Sequence, residues 1–108
     1  MTKAEQINMN DTVEYLVKRI NENCERWGTH YVARLRSCNA RVYATENYYL
    51  LESYNTIVAA VDLRVGAEID FLRYVYGYTA TSAQHISKFF HDYATHNFSN
   101  RRLTWRAV

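Results

Sequence analysis

Apolar residues recur at steps of three and four near the start of the chain. They are Val13, Leu16, Val17, Ile20, Cys24 and Trp27. This period is typical of an amphipathic helix that buries one face. Asp11 with Glu14 three positions later resembles a capping box, and Gly28 is a suitable C-terminal stop. We therefore predict a helix over residues 11–27, with residues 1–10 as a polar lead-in or a helical extension.

From residue 31 the apolar positions alternate with polar ones, which is the period of a strand with one buried face. This pattern predicts strands over residues 31–36, 41–44, 48–53, 56–61 and 71–76. Tyr54 and Asn55 form the predicted turn between the third and fourth strands, because Asn tolerates the left-handed conformation. Residues 62–70 contain Gly66 and mixed charges, and we predict a loop there.

Thr81 is predicted to begin the second helix, because Gln84 three positions later completes a capping box. The apolar face of this helix consists of Ile86, Phe89, Phe90 and Tyr93. The tail at residues 97–108 has no clear period. The order of a helix, five strands and a helix predicts one α+β domain over residues 1–108. We expect an antiparallel sheet of about four to five strands packed with an N-terminal and a C-terminal helix.

Composition narrows the class of protein. Of the 108 residues, 48% are hydrophobic and 22% charged, as in ordinary soluble domains, but 15% are aromatic, mostly tyrosine. No apolar run approaches the ~20 residues of a membrane span, and the polar first residues do not resemble a signal peptide. Cys24 and Cys38 are isolated, which indicates free thiols in a reducing compartment. We expect a cytoplasmic protein of a bacterial host that does not enter a membrane.

Two motifs give the chain a family resemblance. A strand segment reads Leu-x-Ser-Tyr-x-Thr-x-Val-Ala, and a later segment reads Thr-Ser-x-x-His-Ile-x-x-Phe. The matching residues are Leu51, Ser53, Tyr54, Thr56, Val58 and Ala59, then Thr81, Ser82, His85, Ile86 and Phe89. In these residues the chain resembles a small uncharacterised domain found in phages, plasmids and Gram-positive mobile elements. The resemblance implies a mobile-element origin and a compact core of a β-hairpin and a helix. It implies no activity.

His85 is the first candidate for chemistry. It lies one turn before Phe89, at the edge of the apolar face. Neither a nucleophile nor a paired carboxylate lies at a sequence spacing from His85 that is typical of a catalytic site, so we do not predict an enzyme. We expect a structural histidine that joins the helix to the hairpin through a hydrogen bond to Ser53, Thr56 or a backbone carbonyl. Thr81 has the structural role of the helix cap.

A metal site is the second candidate. His85, Asp92 and His96 share one helical face, and His91 lies nearby. The chain has no His-Glu-x-x-His or Cys-x-x-Cys spacing. We therefore predict no metal and no other cofactor, and we interpret these side chains as structural or solvated.

Arginine and aromatic residues gather in the tail. Arg101, Arg102 and Arg106 lie close to Trp105, and no acid occurs among the last sixteen residues. Guanidinium groups bind phosphates or carboxylates, while aromatic rings stack on bases or anchor protein contacts. We expect these four residues to contact a partner. Deletion of residues 99–108 should then leave a folded domain with weaker binding, unless Leu103 and Trp105 pack on the core.

Three tyrosines form a second group of expected partner contacts, namely Tyr48, Tyr76 and Tyr78. Tyrosine is frequent in binding hot spots because it buries a large area with few rotatable bonds. Tyr48 and Tyr49 are adjacent on a predicted strand, so they point to opposite faces of the sheet. We expect two helices to leave part of these faces open.

These observations favour a protein that acts by stoichiometric binding. The expected partner is a host or phage protein of nucleic-acid metabolism or defence. The most concrete form of this hypothesis is an anti-CRISPR-type inhibitor of a defence nuclease, such as a Cas nuclease, and it rests on analogy with other mobile-element proteins. The alternative is a small nucleic-acid-binding module that uses the basic aromatic tail. Its weakness is the isoelectric point of about 8.6, which is below the strongly basic value typical of DNA-binding domains.

Overall fold

Six strands form one continuous sheet in the order in which they occur along the chain. The structure is a computed structural model that describes residues 1–27, 30–35, 39–64, 66–77, 79–94 and 102–108, without the side chains of residues 23–27 and 30. Its elements are α1 (Lys3–Trp27), β1 (His30–Arg34), β2 (Ala40–Ala44), β3 (Tyr48–Ser53), β4 (Thr56–Asp62), β5 (Ala67–Asp70), α2 (Leu72–Val75), α3 (Ala80–Tyr93) and β6 (Arg102–Thr104). The predicted α+β class is confirmed. The sheet is larger than predicted and mixed, because β5 and β6 run parallel.

Helices α1 and α3 cover opposite faces of this sheet. Alternation along β3 divides the core, since Leu50 belongs to the cluster under α1 and Leu51 to the cluster under α3. The α1 cluster includes Val13, Val17, Ile20, Ile69 and Phe71. The α3 cluster includes Val42, Val61, Ile86, Phe89 and Phe90. Each face is therefore packed against a helix, which leaves less open sheet than the sequence suggests.

The hairpin of β3 and β4 turns at Tyr54 and Asn55, as predicted. Both residues have positive φ, 50° and 67°, as in the type I′ turn that matches the twist of paired strands. The amide of Tyr54 donates to the carbonyl of Asn39 (2.9 Å), which ties this turn to the start of β2. Ser53 and Thr56 are the cross-strand pair next to the turn.

Helix α1 begins before Asp11, in agreement with the alternative of a helical extension rather than a polar lead-in. It starts at Lys3, so residues 3–10 belong to the helix and Asp11 is not its cap. The capping box is formed instead by Thr2 and Glu5: the Glu5 amide donates to Thr2 Oγ1 (3.1 Å), and the Thr2 amide donates to Glu5 Oε1 (3.4 Å). The apolar pattern does not extend to the first turn of α1, because most residues of that turn are exposed. Gly28 lies outside the described residues.

Residues 62–76 differ from the predicted loop and strand. Residues 67–70 form β5, with Ala67 and Ile69 buried, and residues 72–75 form the single turn of α2. Asp70 causes the change of direction, because its Oδ1 accepts a hydrogen bond from the amide of Leu72 (3.2 Å). This local bond competes with continued strand pairing. An alternation of only four residues was too short to separate strand from loop.

Helix α3 begins one position before the predicted cap. Its N-cap is Thr79, whose Oγ1 accepts a hydrogen bond from the amide of Ser82 (3.2 Å). Thr81 is an exposed residue of the first turn, so its predicted role as the cap is wrong. A capping box has Glu or Gln three positions after the cap. This pattern favoured Thr81, which Gln84 follows by three positions, over Thr79, which Ser82 follows by three.

Two threonine substitutions test this cap. Thr79→Ala removes the acceptor for the Ser82 amide and should lower the free energy of unfolding by about 1 kcal/mol. Thr81→Ala is the matched control, and it should be neutral or slightly stabilising because alanine is the better helix former. Urea melts of both variants measure the difference. A larger loss for Thr81→Ala would contradict the cap at Thr79.

The tail is part of the fold rather than a free segment. Strand β6 pairs with β5 through Arg102 with Glu68, Leu103 with Ile69 and Thr104 with Asp70. Leu103 is buried in the α1 cluster. The expectation of an undocked tail is therefore wrong for the described residues 102–108, and the alternative of a packed Leu103 describes them.

Side chains of α1 hold the same segment from the other side. Gln6 Nε2 donates to the carbonyl of Thr104 (3.0 Å). Asn10 is buried and bonds both backbone groups of Arg106, since its Oδ1 accepts from the amide (3.0 Å) and its Nδ2 donates to the carbonyl. These hydrogen bonds thus join residues that are more than ninety positions apart in the chain.

Candidate functional site

Three polar residues of the two sequence motifs meet in the core. Ser53 Oγ lies 2.9 Å from Ser82 Oγ and 3.0 Å from His85 Nδ1. All three side chains are buried, and the ring of Tyr54 lies over His85 with centroids 6.1 Å apart. Ser82 and His85 lie on one face of α3 because they are three positions apart, and Thr79 caps the turn that contains Ser82. Thr56 lies beside it as the cross-strand partner of Ser53.

This cluster contains the side chains of a possible nucleophile and base, but they are not accessible to a substrate. A catalytic serine must reach a substrate, and Ser53 and Ser82 are each only 1% exposed. Hydrogen bonds of this kind instead satisfy polar groups that would be costly to bury alone. We interpret the cluster as the joint between α3 and the hairpin, which is the role expected of His85.

The other histidines and acids of α3 do not converge on a metal geometry. Among the described residues no group of three or more His, Cys, Asp or Glu side chains is placed to hold a metal ion. Asp92 Oδ1 accepts hydrogen bonds from His91 Nδ1 and Lys88 Nζ, each at 3.1 Å. These two bonds, that of His91 first, lower the pKa of Asp92. His96 lies outside the described residues.

Tyr48 is not at the surface, which corrects its expected role as a partner contact. It is 1% exposed and packs under α1. Its hydroxyl accepts a hydrogen bond from Arg64 Nη2 (3.1 Å), and Arg64 also pairs with Asp62. Burial, and then the nearby Asp62 carboxylate, raise the pKa of Tyr48. These contacts make Tyr48 part of the β3–β4 core.

Arg102 faces a carboxylate from another part of the chain, although no acid lies near it in the sequence. Its Nη2 donates to Glu68 Oε2 (2.8 Å), and its guanidinium lies 4.8 Å from the ring centre of Phe90. The Asp70 carboxyl is close by. Burial raises the pKa of Asp70, although the Leu72 amide and the arginines at 102, 106 and 73 act in the opposite direction. Arg101 and Tyr78 lie outside the described residues.

A groove of about 930 Å³ opens between α1 and α2. Its described lining is Glu14, Tyr15, Val17, Lys18, Asn21 and Glu22 of α1 with Tyr74 and Val75 of α2. We call it the α1–α2 groove. Tyr15 is 59% exposed and Tyr74 41% exposed, so two large aromatic side chains face solvent at one depression. Such a patch is a common property of binding sites.

Trp105 from the tail supports the wall of this groove. Its ring centre lies 5.4 Å from that of Tyr74, and its Nε1 donates to Glu14 Oε2 (3.1 Å). The backbone amide of Trp105 donates to the carbonyl of Asp70 (3.1 Å). Because the tail is held as a strand, Trp105 fixes one residue on each side of the groove. Tyr76 follows as the exposed C-cap of α2.

The α1–α2 groove thus brings together Trp105 and three residues that were not predicted as partner contacts, namely Glu14, Tyr15 and Tyr74. The sequence does contain one indication that Tyr15 is exposed. It is an aromatic residue directly beside the apolar stripe of α1 rather than part of it. Glu14 was predicted only as part of a helix cap and Tyr74 only as a tyrosine of a predicted strand. Their proximity was not predicted, because it depends on where α2 lies. Arg106 is exposed next to Trp105, while Arg102 points to Glu68.

Comparison with protein families, with curated proteins and with solved structures found no match to the chain. The resemblance to a mobile-element domain therefore stays a prediction. Within the described part of the chain, no helix is long and apolar enough to cross a membrane.

Proposed function

We propose that this protein is non-enzymatic and acts by stoichiometric binding of a partner protein through the α1–α2 groove. The observation that supports this most is the pair of exposed tyrosines, Tyr15 and Tyr74, on opposite sides of one depression. Tyrosine supplies a large contact area at a low entropic cost. Trp105 holds Tyr74 in place before binding, and a surface that is already ordered loses less entropy on association.

In its most specific form, the proposal is an inhibitor of a bacterial defence nuclease, of the anti-CRISPR type. The support for this form is the mobile-element resemblance of the segments around Ser53 and His85. The partner is then a host or phage protein that processes nucleic acid, and the binding takes place in the cytoplasm of the host.

The alternative of direct nucleic-acid binding has less support. The groove includes the carboxylates of Glu14 and Glu22, which repel phosphates. Arg102 is already paired with Glu68. A positively charged surface that tracks a phosphate backbone is the feature that such proteins need.

Capture from a bacterial lysate tests the proposal with a matched pair of variants. Tyr15→Ala removes the groove tyrosine, whereas Tyr31→Ala removes a tyrosine of similar exposure, 57%, on the edge strand β1. We expect the parent to enrich a nuclease or a nuclease-associated protein, measured by mass spectrometry. Tyr15→Ala should lower the affinity for that protein about tenfold or more, as at a hot spot. Tyr31→Ala should leave it unchanged.

Two results would contradict the proposal. One is equal capture by Tyr15→Ala and Tyr31→Ala, which would place binding away from the groove. The other is tight binding of short DNA or RNA whose affinity falls steeply with salt, because that dependence reports phosphate contacts. Melting temperatures of the two variants serve as the control for folding.

A further inference from the structure

We propose that the α1–α2 groove binds a positively charged segment of the partner, with an arginine or lysine side chain between Tyr15 and Tyr74. This inference rests on the proposed function and specifies the chemistry of the partner. The groove is lined by two carboxylates, Glu14 and Glu22, and one ammonium group, Lys18. These three charged lining residues sum to −1, and Arg19 lies beside them, since its Nη1 donates to the Tyr15 hydroxyl (3.4 Å). The two carboxylates attract a cation to this depression.

Trp105 orients the Glu14 carboxylate. Trp105 Nε1 donates to its Oε2 at 3.1 Å, so the carboxylate is oriented before a ligand arrives. A carboxylate accepts several hydrogen bonds, and a guanidinium donates two in parallel to such a group. A preoriented acceptor at the wall of a groove suits an incoming guanidinium.

The aromatic rings supply the second contact. Tyr15 lies on α1 and Tyr74 on α2, and both line the groove. A cation over a tyrosine face is attracted by the ring quadrupole, more strongly as water is excluded. Arginine also stacks its planar group on aromatic rings. Carboxylates combined with exposed aromatic faces are a recognition surface for a cation, whereas a phosphate or an acidic peptide would meet repulsion.

The dimensions of the groove favour a short segment rather than a single residue. Its lining on α1 runs from Glu14 to Glu22, which is about 12 Å at the helical rise of 1.5 Å per residue. An extended peptide of about four residues spans that length. Val17 and Val75 line the groove between the polar side chains, so apolar residues beside the basic ones have a surface to contact.

A nuclear magnetic resonance titration of the ¹⁵N-labelled full chain tests this inference. The probe is a capped peptide of alternating leucine and arginine, and its counterpart has glutamate at each arginine position. We expect saturable shifts of the amides of residues 14–22 and 72–75 with the arginine peptide alone, at a Kd of about 1 mM or tighter. Glu14→Gln combined with Glu22→Gln should weaken binding about tenfold, because two exposed ion pairs are lost.

The design includes its own controls. Glutamine at position 14 can still accept the Trp105 hydrogen bond, so the double variant should melt like the parent. Glu5→Gln combined with Glu46→Gln removes the same charge at exposed sites outside this groove and should bind like the parent. Absence of saturable shifts, shifts at other residues, equal binding of the glutamate peptide, or full binding by the groove double variant would each overturn the inference.

The same variants separate this inference from the proposed function. If Tyr15→Ala loses the captured partner while the Glu14 and Glu22 double variant keeps it, the groove binds a protein and the positively charged segment is wrong. If Tyr15→Ala keeps the partner, the proposed use of the groove is wrong, whatever the peptide does.

Discussion

Deletion of residues 102–108 is expected to unfold the protein at ordinary temperatures. The deletion removes β6, the buried Leu103 and the hydrogen bonds that join the segment to Gln6, Asn10 and Asp70. Loss of one buried leucine side chain alone costs about 2–5 kcal/mol. Each hydrogen bond adds about 1 kcal/mol, against a typical total stability of about 5–15 kcal/mol. The deletion therefore removes most of the stability of a domain of this size.

Circular dichroism and urea melts measure this effect. Deletion of residues 107–108 is the control, since Val108 is 63% exposed and both residues follow the last strand. That shorter deletion should melt like the parent. A cooperative transition of the longer deletion within a few degrees of the parent would show that the tail is dispensable for folding. The tail would then have the role expected from the sequence.

His85→Ala is expected to lower the free energy of unfolding by about 2–4 kcal/mol. The substitution leaves a cavity under Tyr54 and removes the hydrogen bond to Ser53. His91→Ala is the matched control on the same helix, since His91 has 82% of its side chain exposed. It should change the stability by less than about 0.5 kcal/mol.

A double-mutant cycle with Ser53→Ala isolates the contact between the two residues. Because Ser53 and His85 share a hydrogen bond, their effects should be less than additive, with an interaction energy of about 1 kcal/mol. Chemical denaturation of the four proteins provides the numbers. Additive effects, or equal effects of His85→Ala and His91→Ala, would show that the cluster does not join α3 to the hairpin.

The elements that the sequence predicted are those whose pattern is long and local. The stripe of α1 repeats over several turns, and the hairpin of β3 and β4 has two alternating strands with Asn55 at the turn. The cap of α3 is predicted two residues too late, because Thr79 and Thr81 are both good caps. Gln84 completes a capping box only with Thr81, which is not the cap. Strand β5 and helix α2 were missed because each has only four residues and a short run does not establish a period.

Strand β6 and the α1–α2 groove were missed for a different reason. Each depends on residues far apart in the chain: Arg102 pairs with Glu68 across 34 positions, and Trp105 bonds Glu14 across 91. The spacing of hydrophobic residues along a short segment does not predict contacts between residues so far apart in the chain. Arg102 looked unpaired in the sequence because its neighbours in the chain are not acids. In the fold, its neighbour is Glu68.

The parallel pairing of β5 and β6 also has a consequence during synthesis. Glu68 and Arg102 are 34 residues apart, so at about 5–20 residues per second the ribosome makes β5 some 2–7 s before its partner. Hairpins such as that of β3 and β4 form within about 10 μs once their residues are free. Until β6 docks, the sheet presents the backbone edge of β5 without its last strand, and an open edge is a template for pairing with other chains. Docking of β6 therefore closes an edge that is open while this part of the chain is being made.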